Sequence, residues 1–172
     1  MNDPVEVNDT PATALCKACG LCCTGHLFIW AKLRSAELDS AESLGLKVFR
    51  EPNQRGFNQP CPLWDEVCTI YDSSKYPRFC KTYKCKLLKQ VLDEVTPLPS
   101  ALETVRQTKN LIHELELVLP TSSTSNFRER LVACLEDDNT PPELQKKAKA
   151  LLEVYESQFG VNDLLGDPPA NS

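Results

Sequence analysis

The chain has 172 residues, 41% of them apolar and 25% charged, with a net charge of −5, which is the profile of about one ordinary globular domain. Nine cysteines are the figure out of line, too sparse for a disulfide scaffold and far denser than ordinary cytosolic usage. Up to Cys85 ten basic residues balance ten acidic ones, and beyond it acids lead by fourteen to nine, which argues against general nucleic-acid binding.

Met1 to Thr10 is polar and acidic, with no basic start and no apolar core. It is not a secretory signal, and nothing later reaches transmembrane length, so we expect a cytoplasmic protein without membrane association. Residues 1–12 and 160–172 have little to bury and are expected to be disordered. Between these ends we expect a metal-binding domain over 13–95 and a helical extension over 96–159 packed on it. In the first part, Leu27 to Trp30 reads as a short buried strand. A helix capped by Ser35 should stop near Gly45, and the alternation of Leu46 to Arg50 predicts a second strand. The stretch Glu51 to Pro60 reads as a loop. So thin a core needs a staple, and metal is the cytosolic one.

Beyond Cys85 the texture becomes helical. Leu87, Leu88, Val91, Leu92 and Val95 form a short amphipathic stretch ending before Pro97. Val105, Thr108, Ile112, Leu115 and Leu119 lie at helical spacing over 100–119, followed by Phe127, Leu131, Cys134 and Leu135. Pro141 and Pro142 suit a helix start, and Leu144, Ala148, Leu151, Leu152, Tyr155 and Phe159 make the last stripe. The fold class predicted is α+β, with short strands around the cysteines and a small antiparallel helical bundle after them.

Chemistry must centre on thiolates. Only six glycines occur, no two spaced as G-x-G, and the two histidines are His26 and His113, so phosphate-cradling loops and histidine-rich metal sites are excluded. Eight cysteines lie within seventy residues in two groups. Cys16, Cys19, Cys22 and Cys23 make two C-x2-C steps closed by a vicinal pair, with Gly20 relieving the turn. Cys61, Cys68, Cys80 and Cys85 follow. In a reducing compartment such a cluster is a set of metal ligands. The side chains of adjacent Cys22 and Cys23 diverge, which leaves two sites, one multinuclear centre or one spare thiol open. Eight thiolates in two sets of four fit two tetrathiolate sites, or one cluster plus one zinc. Cys134, at helical spacing beside Leu131 and Leu135, is a core residue. His26 reads as a surface or core histidine before a replacement ligand. The basic run Lys75, Arg78, Lys81, Lys84, Lys86 and Lys89 is a solvated face before it is a docking site. Tyr71, Tyr83, Trp64 and Phe79 flank cysteines and should form the apolar shell of the site.

These residues resemble the cysteine-cluster proteins often called YkgJ-type, whose domain is described as a zinc- or iron-chelating CxxCxxCC domain. The opening cluster matches Cys16, Cys19, Gly20, Cys22 and Cys23. Later elements match Cys61-Pro62-Leu63, which is one residue shorter than usual, then Cys68 to Tyr71, and Cys80 to Cys85. The family's Arg-Pro falls at Tyr76-Pro77, so the arginine's role is not carried over to Tyr76, and Arg78 is the candidate to take it. The resemblance covers residues 16–85 and implies metal chelation through all eight cysteines, with no stated substrate.

We favour an iron-sulfur cluster over zinc, because three cysteines share ferredoxin-like spacing and the adjacent fourth suits a multinuclear centre. The reading is a metalloprotein of electron transfer with an unidentified protein or small-molecule partner. The rivals are a group-transfer enzyme using the cluster, since flagellin lysine methylases carry a similar one, and a structural zinc-binding interaction module.

Overall fold

Thr10 opens the first helix: its hydroxyl accepts the Thr13 amide at 3.2 Å and Pro11 takes the first helical position, a start that needs no partner from elsewhere in the fold. The computed structural model describes residues 9–164. Helix α1 (Pro11–Cys19) ends at Gly20 in the left-handed conformation, φ 66°. After a tight loop come β1 (Trp30–Lys32), a 3-10 turn (Ser35–Glu37), α2 (Leu38–Ser43), β2 (Val48–Glu51) and β3 (Gln54–Asn58). A two-residue pair, β4 (Trp64–Asp65) and β5 (Val67–Cys68), is followed by α3 (Arg78–Thr82) and α4 (Lys86–Leu92). The chain then runs through α5 (Leu98–Val118), α6 (Phe127–Glu136) and α7 (Pro142–Val154), which closes in a π-helical turn, Tyr155–Phe159. The fold is α+β.

The sheet is antiparallel with β3 central, in the order β1-β3-β2. Ala31 and Val48 both stand opposite Phe57, and Lys32 and Phe49 both stand opposite Gly56. Three corrections to the sequence reading concern this region. The segment from Leu27 is buried but is not yet strand, because Gly25 turns the chain at φ 80° and the amides of His26 and Leu27 both bond back to the Leu21 carbonyl, at 3.0 and 3.1 Å. Strand β1 begins only at Trp30. The supposed loop 51–60 contains β3, whose signature is interrupted by Gly56. A Cβ there would collide with the Ala31 carbonyl oxygen, so the position keeps glycine for close backbone approach. Ser35 lies inside a 3-10 turn rather than capping a helix. The Arg34 amide donates to the Glu37 carboxylate at 2.7 Å, and the other oxygen of Glu37 accepts the Arg78 amide, also at 2.7 Å. One side chain thus fixes the entry to α2 and the first turn of α3.

The helices pack into one core with the sheet. Helix α1 rests on α4 and α5, and α7 packs on both α5 and α6. Leu15, Leu115, Leu131, Ala148, Leu151 and Tyr155 are all at most 2% exposed. This apolar interior, rather than local propensity, holds the helices in place. Parts of both ends are among the described residues. Helix α1 already starts at Pro11, and Val161 and Leu164 remain buried beyond Gly160. Arg128 of α6 fastens that last segment by donating to the Asp163 carbonyl at 2.9 Å. The remainder of the expected disorder, residues 1–8 and 165–172, lies outside the described residues. No helix among the described residues is long and apolar enough to cross a membrane.

Candidate metal centre

Three pieces of chain bring the cysteines together. Cys16 and Cys19 lie three residues apart on α1, and therefore on one face. The left-handed turn at Gly20 then carries the chain to Cys22 and Cys23. A Cβ on Gly20 would fall within the Trp64 indole, so this residue meets two demands at once, the positive φ and the close approach of the ring. That contact lays the Cys61–Cys68 segment on the end of α1, and the Cys61 amide donates to the Cys23 carbonyl at 2.7 Å. Cys68 stands on β5 opposite Trp64. Cys80 is carried by α3, and Cys85 caps α4.

All eight thiols are partly buried, and none is left in an ordinary aqueous environment. Burial pushes Cys16 up to about 11, with the charges of Cys85 and Cys68 adding to it. Burial raises Cys19 and Cys23 to about 12 and holds Cys22 and Cys80 well above the usual thiol range. Cys61, Cys68 and Cys85 are also raised, again by burial first. Without metal the thiols are therefore protonated at neutral pH, and uptake of a cation must release protons.

Four of the eight already receive backbone amides of the kind that stabilise a thiolate. Leu21 donates to Cys19, Leu63 and Trp64 to Cys61, and Ile70 to Cys68. Cys85 takes the amide of Leu88 at 3.4 Å and that of Leu87. Amides two and three residues beyond a cysteine are the outer shell that orients sulfur toward a metal and tunes it. Cations add to this. The charges of Lys109, Lys89 and Lys17 favour the thiolates of Cys19, Cys85 and Cys68 respectively. Lys109 is positioned by donating to the Ala18 carbonyl at 2.8 Å.

Cys16, Cys19, Cys22, Cys23 and Cys85 line one cavity of about 60 Å³. Its other walls are apolar, including Leu15, Leu21, Leu27, Leu87, Val105 and Phe159. The helical extension supplies Val105 and Phe159, so it closes the cysteine site rather than standing apart. Among the described residues, no three His, Cys, Asp or Glu side chains form a ready-made group for one ion. A mononuclear tetrathiolate needs each sulfur at about 2.3 Å from a single point, and loading one would draw the thiols inward. In donor chemistry the site fits a thiolate-bound metal: it offers sulfur, amides directed at sulfur and a water-excluding wall.

The aromatic residues divide between shell and support. Tyr83 lines the cavity and stacks on Phe79, with ring centroids 5.3 Å apart. Trp64 covers Gly20. Tyr71 lies beneath the Lys17 ammonium, 5.0 Å from its ring centroid. Sequence reasoning missed Tyr76, whose hydroxyl donates to the Cys80 carbonyl at 3.3 Å. Burial and the charges of Cys80, Cys16, Cys68 and Cys23 raise its pKa; a Tyr-Pro pair carries no spacing signal that could have revealed this. At Arg78 it is the backbone amide that is engaged, by Glu37. His26 is turned away, to Thr24 at 2.7 Å and Glu116 at 3.2 Å, with its ring edge-on to Phe127. Cys134 is buried on α6 beside a different cavity of about 430 Å³.

Such a collection of buried, amide-bonded thiols defines a thiolate metal-binding protein. The chain belongs to the CxxCxxCC family, described as a putative zinc- or iron-chelating domain, whose model matches residues 15–113, more than half of the sequence. No curated protein and no solved structure matches it.

Proposed function

We propose that the protein is an electron-transfer metalloprotein whose cysteines hold iron–sulfur. The observation that carries this is the single cavity lined by five cysteines, one more than a tetrahedral ion can use and suited to a multinuclear centre. The run Cys16, Cys19, Cys22 has the ferredoxin spacing, and Cys85 is the remote cysteine that comes to it through space. When bound, such a cluster supplies one-electron redox chemistry. The chain's part is to exclude water through Leu15, Leu21, Leu87 and Phe159, and to direct amides and lysine charges at the sulfurs. Both effects set a reduction potential. Cys61 and Cys68, on the more open side, give a protein or small-molecule redox partner its approach.

Zinc is the second reading, favoured at one place. The amides of Leu63, Trp64 and Ile70 directed at Cys61 and Cys68 equally suit a mononuclear tetrathiolate ion. Anaerobic purification followed by iron, zinc and acid-labile sulfide analysis tests the proposal. Iron with sulfide, and visible absorption that bleaches on reduction, is the expected result. A colourless protein containing zinc alone would overturn it in favour of a structural module.

A further inference from the structure

A second cavity opens where the end of α5, the face of α6 and the start of α7 come together. It measures about 430 Å³, against about 60 Å³ for the cysteine cavity, and the two share no residue. That volume falls within the range of small-molecule sites. Val118 of α5, Ala133 and Cys134 of α6 and Leu144 of α7 give it an apolar wall, and Arg130 supplies a cation. The guanidinium has no adequate protein partner. Its Nε is buried and unbonded, and its Nη1 reaches only the Pro120 carbonyl, at 3.5 Å. Among the described residues no carboxylate pairs with it. Its neighbour Glu129 is committed to the start of α6, where it accepts the Asn126 amide at 3.0 Å. A buried donor left unbonded carries a desolvation cost that a ligand can offset. The loop along the cavity is already formed, because the Ser122 hydroxyl accepts the amides of Thr124 and Ser125 at 3.2 and 3.0 Å. Thr121 and Thr140 also line the cavity, and their hydroxyls make no bond among the described residues.

We propose that this cavity is a binding site for a small monocarboxylate with a compact apolar body, and that it works independently of the metal centre. The carboxylate takes the N–H groups of Arg130, whose planar fork matches two carboxylate oxygens, and the hydroxyls of Thr121 and Thr140 add neutral donors. The apolar body covers Val118, which is 54% exposed, together with Ala133, Cys134 and Leu144. Burial of that surface contributes affinity, and the single ion pair fixes orientation. Asp137 sets the charge of the ligand. It lines the same cavity at the C-terminal end of α6, about 10 Å further along the helix axis than Arg130. One of its carboxylate oxygens accepts the Asn139 backbone amide at 2.9 Å and the Asn139 side-chain amide at 3.1 Å. A single carboxylate at the Arg130 end stays clear of this acid, while a dianion such as phosphate is repelled by it.

Hydrocinnamate, a carboxylate on a short aromatic body, is the probe, titrated into the full-length protein and followed by nitrogen–proton correlation spectroscopy. Hydrocinnamyl alcohol, which has the same body without the charge, and inorganic phosphate are titrated in parallel. Hydrocinnamate should give saturable shifts in the amides of Arg130, Ala133 and Leu144, with the alcohol about tenfold weaker for want of the charge-assisted bonds and phosphate giving no saturation. Arg130→Gln should weaken hydrocinnamate by a similar factor. Ala133→Phe offers a second variant: Ala133 is exposed on α6, so the ring is accommodated by the fold while it fills the cavity and abolishes binding. Far-ultraviolet circular dichroism and metal content should match the parent in both variants, because neither residue touches the cysteine cavity. No saturation by hydrocinnamate, equal binding of the alcohol, tighter binding of phosphate, or a folded Arg130→Gln or Ala133→Phe variant that binds as well as the parent would each overturn the proposal.

Discussion

Gly20 shows how much of the site can hang on one residue. It ends α1 at φ 66° and leaves room for the Trp64 indole. Gly20→Ala should lower the unfolding free energy of the metal-loaded protein by about 2 kcal/mol, from the left-handed penalty plus displacement of the ring. Chemical denaturation reads this, and a variant as stable as the parent would show that the ring swings aside at no cost. Cys134→Ala is the contrasting case. It should cost about 1 kcal/mol for a small buried side chain and leave metal stoichiometry unchanged, because Cys134 lies on α6 beside another cavity. The raised thiols also have a signed consequence for the metal-free protein. Their folded pKa values, about 11 for Cys16 and about 12 for Cys19 and Cys23, lie above that of an unfolded cysteine. The fold therefore binds more protons than the unfolded chain in that interval, and stability falls as pH rises. It should be flat below about pH 8 and decline above it toward pH 12, with the unfolded thiol titrating near 8.5. A denaturation midpoint constant over pH 8–11 in the metal-free state would contradict this.

At the scale of elements, the shortest pieces are held by side chains rather than by their own propensity. Helix α3 has five residues and no side-chain cap of its own, too short to form alone, yet it carries Cys80. Its first amide is taken by Glu37 from across the fold, and the same carboxylate holds the Arg34 amide. Glu37→Ala should cost about 2 kcal/mol for two charge-assisted bonds and speed amide exchange in Arg78 to Thr82. Glu42→Ala, which removes only an exposed ion pair with Arg50, is the control and should change neither. The long helices behave differently. The apolar spacing of Val105, Thr108, Ile112 and Leu115 identifies α5, and all four are buried as that spacing requires. Helix α1 is not among the elements expected from the sequence: Thr10 and Pro11 fall in an end expected to be disordered, although a threonine cap, a proline in the first turn and Gly20 after the last are helix signals.

For the whole molecule, the consequence is that the cysteine half and the helical half stabilise one another through the cavity they enclose. Val105 and Phe159 come from the helices, and Leu15, Leu21 and Leu27 from the cysteine segment. Metal removal should therefore loosen but not unfold the segment from Cys16 to Cys85, weakening its near-ultraviolet signal and protease resistance, while α5 to α7 retain helical signal. A bound structural ion can contribute on the order of 10 kcal/mol, more than the short strands supply. Near-ultraviolet circular dichroism and limited proteolysis of the stripped protein check this. Full retention of both signals would show that the apolar core alone holds the site.

By itself the sequence determined the thiolate chemistry, the α+β class and the helical stripes. These depend on residue type and on periodicities that repeat within a few residues, which a linear pattern records directly. Only the tertiary structure decided which cysteines are neighbours. Cys85 joins Cys22 and Cys23 in one cavity across more than sixty residues, and the Cys61 amide is bonded to the Cys23 carbonyl across nearly forty. That proximity follows from the Gly20–Trp64 contact, the Cys61-to-Cys23 backbone bond and the packing of α4 on α1. Spacing fixes only what lies within a turn or two of chain; long-range proximity is fixed by packing.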